Sequence, residues 1–141
     1  HGCDHTIVYT RESVSARVRE ITGGAGVPVV YDSIGKDTFM DSLACLRPLG
    51  MMVTFGNASG PVPAFEPAIL SKMGSLFLTR PTLFHYTRRE DLLAMADELF
   101  AVVASGQVRL SINQRYPLKD AATAHRELEA RRTTGSTILI P

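Results

Sequence analysis

The sequence is that of an α/β protein, a doubly wound parallel sheet followed by a segment of mixed α+β character. Three features lead there. Short β-branched and aromatic runs begin at residues 6, 27, 51 and 75, at nearly even spacing. The first gaps between them carry apolar residues at helical intervals. Beyond the fourth run the cadence stops. Strands that alternate with amphipathic helices imply βαβ units, with a sheet buried on both faces and right-handed crossovers.

Taken in order, Thr6-Ile7-Val8-Tyr9 is expected as the first strand. Val14, Val18 and Ile21 then form the stripe of a helix, which Gly23-Gly24 stops. Val27-Pro28-Val29-Val30-Tyr31 is the second strand. Phe39, Leu43 and Leu46 repeat the helical spacing, and Pro48 and Gly50 are expected to end that helix. Met51–Phe55 is the third strand. It leads into a loop rich in Gly, Pro and Ser from Gly56 to Pro63, then a short helix near Glu66–Met73. Ser75–Thr79 is the fourth strand.

Pro81 interrupts both patterns, so a boundary is expected near Thr79–Thr87, dividing the chain into residues 1–82 and 83–141. Thr87-Arg88-Arg89-Glu90 has the form of a capping box. Leu92, Ala96, Leu99 and Val103, widened by Leu93 and Phe100, make one helical face, which Ser105-Gly106 ends. Val108–Ile112 alternates as a strand with one wet face, and Tyr116-Pro117-Leu118 reads as a turn. Ala121, His125 and Leu128 make another helical stripe, and Ser136–Ile140 closes the chain as a strand. A solenoid of repeats is the competing reading of the cadence, but the runs share no motif.

Composition narrows the classes. The 141 residues suit one domain or slightly more, and 45% hydrophobic against 21% charged residues excludes intrinsic disorder. Fifteen basic against fourteen acidic residues leave a net charge of +1, so neither a nucleic acid nor a membrane surface is the expected partner. No apolar run approaches the roughly 18 residues a bilayer span needs. The first residue is His1, and a strand-like run follows almost at once. The sequence is therefore read as a piece of a longer polypeptide, without a secretory leader and at home in the cytoplasm. Cys3 and Cys45 are expected as two reduced thiols.

Few residues offer chemistry by themselves. His1, His5, His85 and His125 are scattered, and Cys3-Asp4-His5 is only a tight local cluster, so no metal is expected. His125 falls on an apolar stripe and reads as a core or boundary histidine. No G-x-S-x-G elbow is present, and Pro61 and Pro63 follow Asn57-Ala58-Ser59-Gly60 where a nucleophile would need a helix. No catalytic residue is assigned. Gly23-Gly24-Ala25-Gly26 precedes a strand, whereas a phosphate-gripping glycine loop follows one and opens a helix. That loop is missing, as it would be in a chain that starts at the third strand of such a sheet. The loop Phe55-Gly56-Asn57-Ala58-Ser59-Gly60-Pro61 is more promising. It sits at the carboxyl end of a parallel strand, where open α/β sheets bind ligands. Gly56 permits close approach, and the Asn57 amide offers both donors and an acceptor.

Longer stretches carry a resemblance. They are Val29-Val30-Tyr31-Asp32-Ser33-Ile34-Gly35-Lys36-Asp37-Thr38-Phe39, Ser42-Leu43-Ala44-Cys45-Leu46-Arg47-Pro48-Leu49-Gly50, the Phe55–Pro61 loop and Gly74-Ser75-Leu76-Phe77-Leu78-Thr79-Arg80-Pro81. Tyr116-Pro117-Leu118-Lys119-Asp120-Ala121, Ala124-His125-Arg126, Leu128-Glu129-Ala130-Arg131 and Thr134-Gly135-Ser136 continue it. With these the chain resembles the C-terminal portion of a zinc-independent medium-chain dehydrogenase/reductase of the NADPH:quinone oxidoreductase (zeta-crystallin-like) family.

The resemblance implies the later part of a Rossmann domain over 1–82, then a segment over 83–141 that returns to a GroES-like catalytic domain. It implies NADPH as cofactor and hydride transfer to a quinone or similar small electrophile, with the isolated piece inactive. Tyr9 resembles a tyrosine near the adenosine 2′-phosphate, where Arg11 would also help. Ser33, Ile34 and Gly35 would face the adenosine and its ribose. Phe55, Gly56 and Asn57 resemble nicotinamide-side contacts, and Arg131 an arginine that reaches the cofactor. Family members of this kind pair as dimers, here through the edge strand Ser75–Thr79. Two other readings stay open: an enoyl or alkenal reductase of the same superfamily, and a non-catalytic crystallin-like or RNA-associated protein. A methyltransferase is a distant further possibility from the α/β pattern alone.

Overall fold

A computed structural model describes residues 2–141. It divides into two compact units, one ending at Tyr86 and one running from Thr87 to Pro141. The first holds α1 (Val14–Ile21), β1 (Val27–Asp32), α2 (Phe39–Ala44), β2 (Leu46–Thr54), α3 (Ala68–Lys72) and β3 (Phe77–Thr79). Its three strands are parallel in the order β1-β2-β3. The second holds α4 (Arg89–Ala104), β4 (Ile112–Pro117), α5 (Ala121–Glu129) and β5 (Ser136–Ile140), with β4 parallel to β5.

In the first unit the core lies on one face of the sheet. Val30, Met52 and Leu78 are register partners on that face. Phe39 and Leu43 of α2 cover them, together with Leu46 and Leu76, and Val62, Leu70 and Met73 complete the layer. Phe65 closes on Phe39 with ring centroids 5.1 Å apart. Leu43, Leu46 and Met52 are fully buried, each contributing about 1.5–3 kcal/mol by leaving water. The opposite face is open. Val29, Met51 and Phe77, partners across all three strands, are 37%, 40% and 56% exposed, and Tyr31 is 73% exposed. Within this unit the helices pack on the core face, while on the other face Val53, the partner of Tyr31, is buried and its neighbours Tyr31 and Met51 are exposed.

Helix α1 starts where Ser13 accepts a hydrogen bond from the Ala16 amide. It ends as the glycine pair predicts. The amides of Gly23 and Gly24 donate to the carbonyls of Glu20 and Arg19, the double bond of a Schellman cap. Arg19 ties this helix to the end of α2 and the start of β2. Its Nη1 donates to the Gly24 carbonyl at 2.8 Å, and its Nη2 to the carbonyls of Ala44 and Leu46 at 3.0 and 2.9 Å. One side chain thus satisfies the carbonyls left over where α1 and α2 end.

Several expectations shift. Thr6–Tyr9 is not a strand, so the sheet of the first unit has three strands. β-branched residues favour a strand only where a neighbour completes the ladder, and among the described residues no strand pairs with this segment. Strand β2 begins at Leu46, not Met51, because Leu46 pairs with Val27. The register then slips between Val27 and Val29, and Leu49 adopts φ 60° while its amide donates to the Gly74 carbonyl. Pro48 and Gly50 thus sit inside an irregular strand. Leu76 is buried and precedes the short edge strand β3, in which Phe77 faces water.

The second unit shifts in the same way. The strand expected at Val108–Ile112 lies at Ile112–Pro117, so Tyr116-Pro117 is its end, and a 3₁₀ turn follows over Leu118–Asp120. Tyr116 pairs with Leu139 and Pro117 with Ile140. Pro117 is tolerated because it ends the strand. The N-cap of α4 is Arg88, one residue later than the capping box predicts, and its Nε donates to Asp91 at 2.9 Å. His125 is exposed rather than a core residue, while Ala124 beside it is buried. No helix among the described residues is long and apolar enough to cross a membrane.

Replacing Arg19 with Met frees three carbonyls from a charged donor. Urea unfolding should show a loss of about 2–4 kcal/mol, with R19K recovering part of it.

Candidate functional site

The site is built around Asp32, the last residue of β1. Its side chain is 4% exposed. Its carboxylate accepts hydrogen bonds from the Ile34 amide at 2.8 Å and the Gly35 amide at 3.0 Å. The hydroxyls of Thr38 and Ser42 each donate to it at 2.8 Å. Burial alone raises a carboxyl pKa, yet these four bonds outweigh it and hold Asp32 below the ordinary aspartate range. The charged carboxylate folds the Ser33–Gly35 loop back toward the start of α2, where the Gly35 carbonyl accepts from the Thr38 and Phe39 amides.

The loop after β2 is bonded to the loop after β1. The Phe55 amide donates to the Asp32 carbonyl at 2.9 Å, the Ala58 amide to the Ser33 carbonyl at 3.2 Å and the Ser59 amide to the Ile34 carbonyl at 2.8 Å. The Ser59 hydroxyl donates to that same Ile34 carbonyl at 2.9 Å and accepts from the Asp37 amide at 3.0 Å. The Lys36 amide donates to the Gly60 carbonyl at 3.1 Å. Two glycines allow this closeness. A Cβ on Gly56 would lie 2.3 Å from the Ser33 carbonyl oxygen. One on Gly35, whose φ is 90°, would lie 2.7 Å from the Gly60 carbonyl oxygen. From the third strand's end, Arg80 Nη1 donates to the Thr54 hydroxyl at 3.2 Å and to the Gly56 carbonyl at 3.0 Å.

Beside the first loop lies an open cavity of about 290 Å³. Ile7, Tyr9, Val14, Tyr31, Ser33 and Ile34 line it, together with Asp37, Asp41 and Ser42. Ser15 engages Asp41 through both its amide and its hydroxyl. The structure therefore brings Tyr9, Ser33 and Ile34 together at one cavity, with Gly35 buried behind them. Tyr9 reaches it from a turn rather than from a strand end. Phe55, Gly56 and Asn57 sit on the adjoining loop, and Phe55 is half exposed at its tip. Arg131 belongs to the second unit. It follows α5 with φ 56°, and its amide donates to the Leu128 carbonyl at 3.0 Å.

A family model described as zinc-binding dehydrogenase matches residues 1–139. The chain belongs to that family. It is 56% identical, over its whole length, to a quinone oxidoreductase of Pseudomonas aeruginosa, of which it covers 44%. The crystal structure of the Escherichia coli quinone oxidoreductase complexed with NADPH superposes with a TM-score of 0.90 at 50% identity, over 96% of this chain and 42% of that one. A 2-haloacrylate reductase from a Burkholderia species is 47% identical over 99% of this chain and 43% of its own length. The chain thus spans less than half the length of the zinc-binding dehydrogenase relatives it matches. The family description mentions zinc. Among the described residues, no three of His, Cys, Asp and Glu stand together to hold a metal ion. Burial pushes the Cys45 thiol up to about 11, and Asp41 nearby adds to that, so Cys45 is no ready thiolate ligand.

Asp32, Ser59 and Arg80 hold the site, and no role was assigned to them from sequence. Asp32 left a local signal, since an Asp that ends a strand one residue before a Ser-x-Gly loop commonly bonds the amides ahead of it. Ser59 and Arg80 left none, because their partners are distant in the chain.

Two outcomes test this network. Asp32→Ala leaves four donors without their acceptor and should cost several kcal/mol in urea unfolding, whereas Ser33→Ala should cost little. Because its folded pKa is lowered, Asp32 contributes stability fully above the ordinary aspartate value of 3.8 and loses it as pH falls below that through the folded value. Wild-type stability should therefore drop over that acid range, and D32N should show a smaller drop.

Proposed function

We propose that the whole protein carrying this chain transfers hydride from NADPH to a quinone or similar small electrophile without zinc. On this reading the chain supplies the later part of a Rossmann domain over 1–82 and a segment of the catalytic domain over 83–141. The observation that carries it is the pair of interlocked loops at the carboxyl ends of parallel strands, beside a cavity that Tyr9, Ser33 and Ile34 share. Ligands of open α/β sheets bind at that end. The NADPH complex of a relative and the quinone oxidoreductase names of others support the choice of cofactor and acceptor.

When bound, the cofactor supplies the hydride, and this chain's residues position it. Ser33, Ile34 and Gly35 receive the adenosine and its ribose. Asp37 and Asp41 on the cavity wall favour hydroxyl and amino donors over phosphate, so the 2′-phosphate belongs at the outer rim, with Tyr9 and Arg11. Phe55, Gly56 and Asn57 would take the nicotinamide side, with the half-exposed Phe55 ring available to cover it. Arg131 is a further cofactor contact on this reading. A rigid backbone cradle lowers the barrier by orientation, and a quinone needs no metal to accept hydride. The protein acts in the cytoplasm, as a homodimer joined along the Ser75–Thr79 edge, with no nucleic-acid or membrane partner. An activated alkene is the second acceptor, favoured by the 2-haloacrylate reductase among the relatives.

Mixing the whole protein with NADPH and a benzoquinone should oxidise the cofactor, faster than with a crotonyl thioester. No oxidation with either acceptor defeats the proposal, and preference for the thioester selects the second reading. Light scattering should give a dimer mass, and Phe77→Lys should shift it toward monomer.

A further inference from the structure

Resting on the reading above, we propose that Arg80 is a positioning residue for the nicotinamide end of the cofactor, acting through the Gly56–Asn57 peptide. Its guanidinium stands just past β3 and bonds the Thr54 hydroxyl and the Gly56 carbonyl, 3.2 and 3.0 Å away. Thr54 is buried and belongs to β2, so the arginine is braced against the sheet while it grips the loop. On the other side of the same residue, Gly56 lies against the Ser33 backbone with no room for a Cβ. The Gly56 carbonyl is thus held between two fixed walls.

A trans peptide converts this grip into a direction for the next amide. The chain has no cis peptide among the described residues, so the Asn57 N–H points opposite to the Gly56 C=O within one plane. Arg80, by fixing the carbonyl, turns that N–H away from itself. Among the described residues no acceptor takes the Asn57 N–H, whereas its neighbours Phe55, Ala58, Ser59 and Gly60 all donate within the protein. The result is one spare, rigidly aimed donor at the tips of the parallel strands. A neutral carbonyl oxygen, such as the carboxamide of a nicotinamide, is the acceptor such a donor suits. The positively charged guanidinium strengthens the arrangement, since a charged donor polarises the peptide it holds and makes the Asn57 N–H a better donor.

The test separates the two ends of the cofactor in the whole protein. Arg80→Met should lower kcat/KM for NADPH by about tenfold, the loss of one charge-assisted hydrogen bond. Affinity for adenosine 2′,5′-bisphosphate, which lacks the nicotinamide, should stay within about twofold of wild type. Arg80→Lys should restore part of kcat/KM. Unchanged kcat/KM in R80M overturns the inference, as does equal weakening of the half-ligand, which marks a purely structural arginine. Failure of the underlying reading looks different: the wild-type protein itself then oxidises no NADPH, and the inference falls with it.

Discussion

A charged carboxylate buried at the end of a strand holds the functional end of the first unit together. Asp32 is ionised in a place that burial would otherwise keep neutral, and it stays so because two amides and two hydroxyls converge on it. Those donors come from three places: the loop just ahead, the N-cap residue of α2, and the body of α2. The carboxylate therefore sets the distance between β1 and α2 and the curl of the loop between them. Everything the second loop bonds to depends on that curl. The carbonyls of Ser33 and Ile34 accept from Ala58 and Ser59 only because Asp32 has turned the intervening amides inward. Neutralising it would not merely remove one interaction. It would leave buried donors unmatched at the hinge of both loops.

This anchor matters more because the unit is covered on one side only. Helix α2 and the 62–73 segment bury Met52 and its neighbours, while Val29, Tyr31, Met51 and Phe77 keep the other face open to water. A layer with half its apolar surface exposed gains less from leaving water than a doubly covered sheet. Specific polar ties then carry a larger share of the order. Arg19 bonds three carbonyls around the α1–α2 junction, and Asp32 does the matching work at the opposite end of β1. One cation and one anion, each multiply bonded, bracket the strand that leads to the site.

Periodicity made the helices legible, and helix ends were readable where glycine provides the stop, as at Gly23-Gly24. Strands were legible only where a partner follows. Thr6–Tyr9 has the composition of a strand, but among the described residues no strand pairs with it, and it is not one. Leu46 matched a helical stripe, yet pairing with Val27 claimed it for β2. The strand near residue 110 was displaced because β5, not local alternation, fixes which residues pair. The loop Phe55–Gly60 was found from its place after a strand and its glycines. The interactions that make it rigid were not, because Ser59 reaches Ile34 and Arg80 reaches Gly56 across the fold. Such contacts follow no period in the chain. They become visible only when parallel strands bring three carboxyl ends side by side.

What these ends present is mostly backbone. The carbonyls of Ser33, Ile34 and Gly56 are occupied, the glycines have no side chains, and the Asn57 amide is aimed by a peptide plane. A cradle made of main-chain groups fixes position and direction with little freedom to lose on binding. It also reads little of a ligand's identity, because backbone groups are the same in every protein. Selectivity at this end must then come from side chains, and the half-exposed Phe55 is one that this loop contributes. Orientation by main chain and selectivity by side chain are thereby separated at these strand ends.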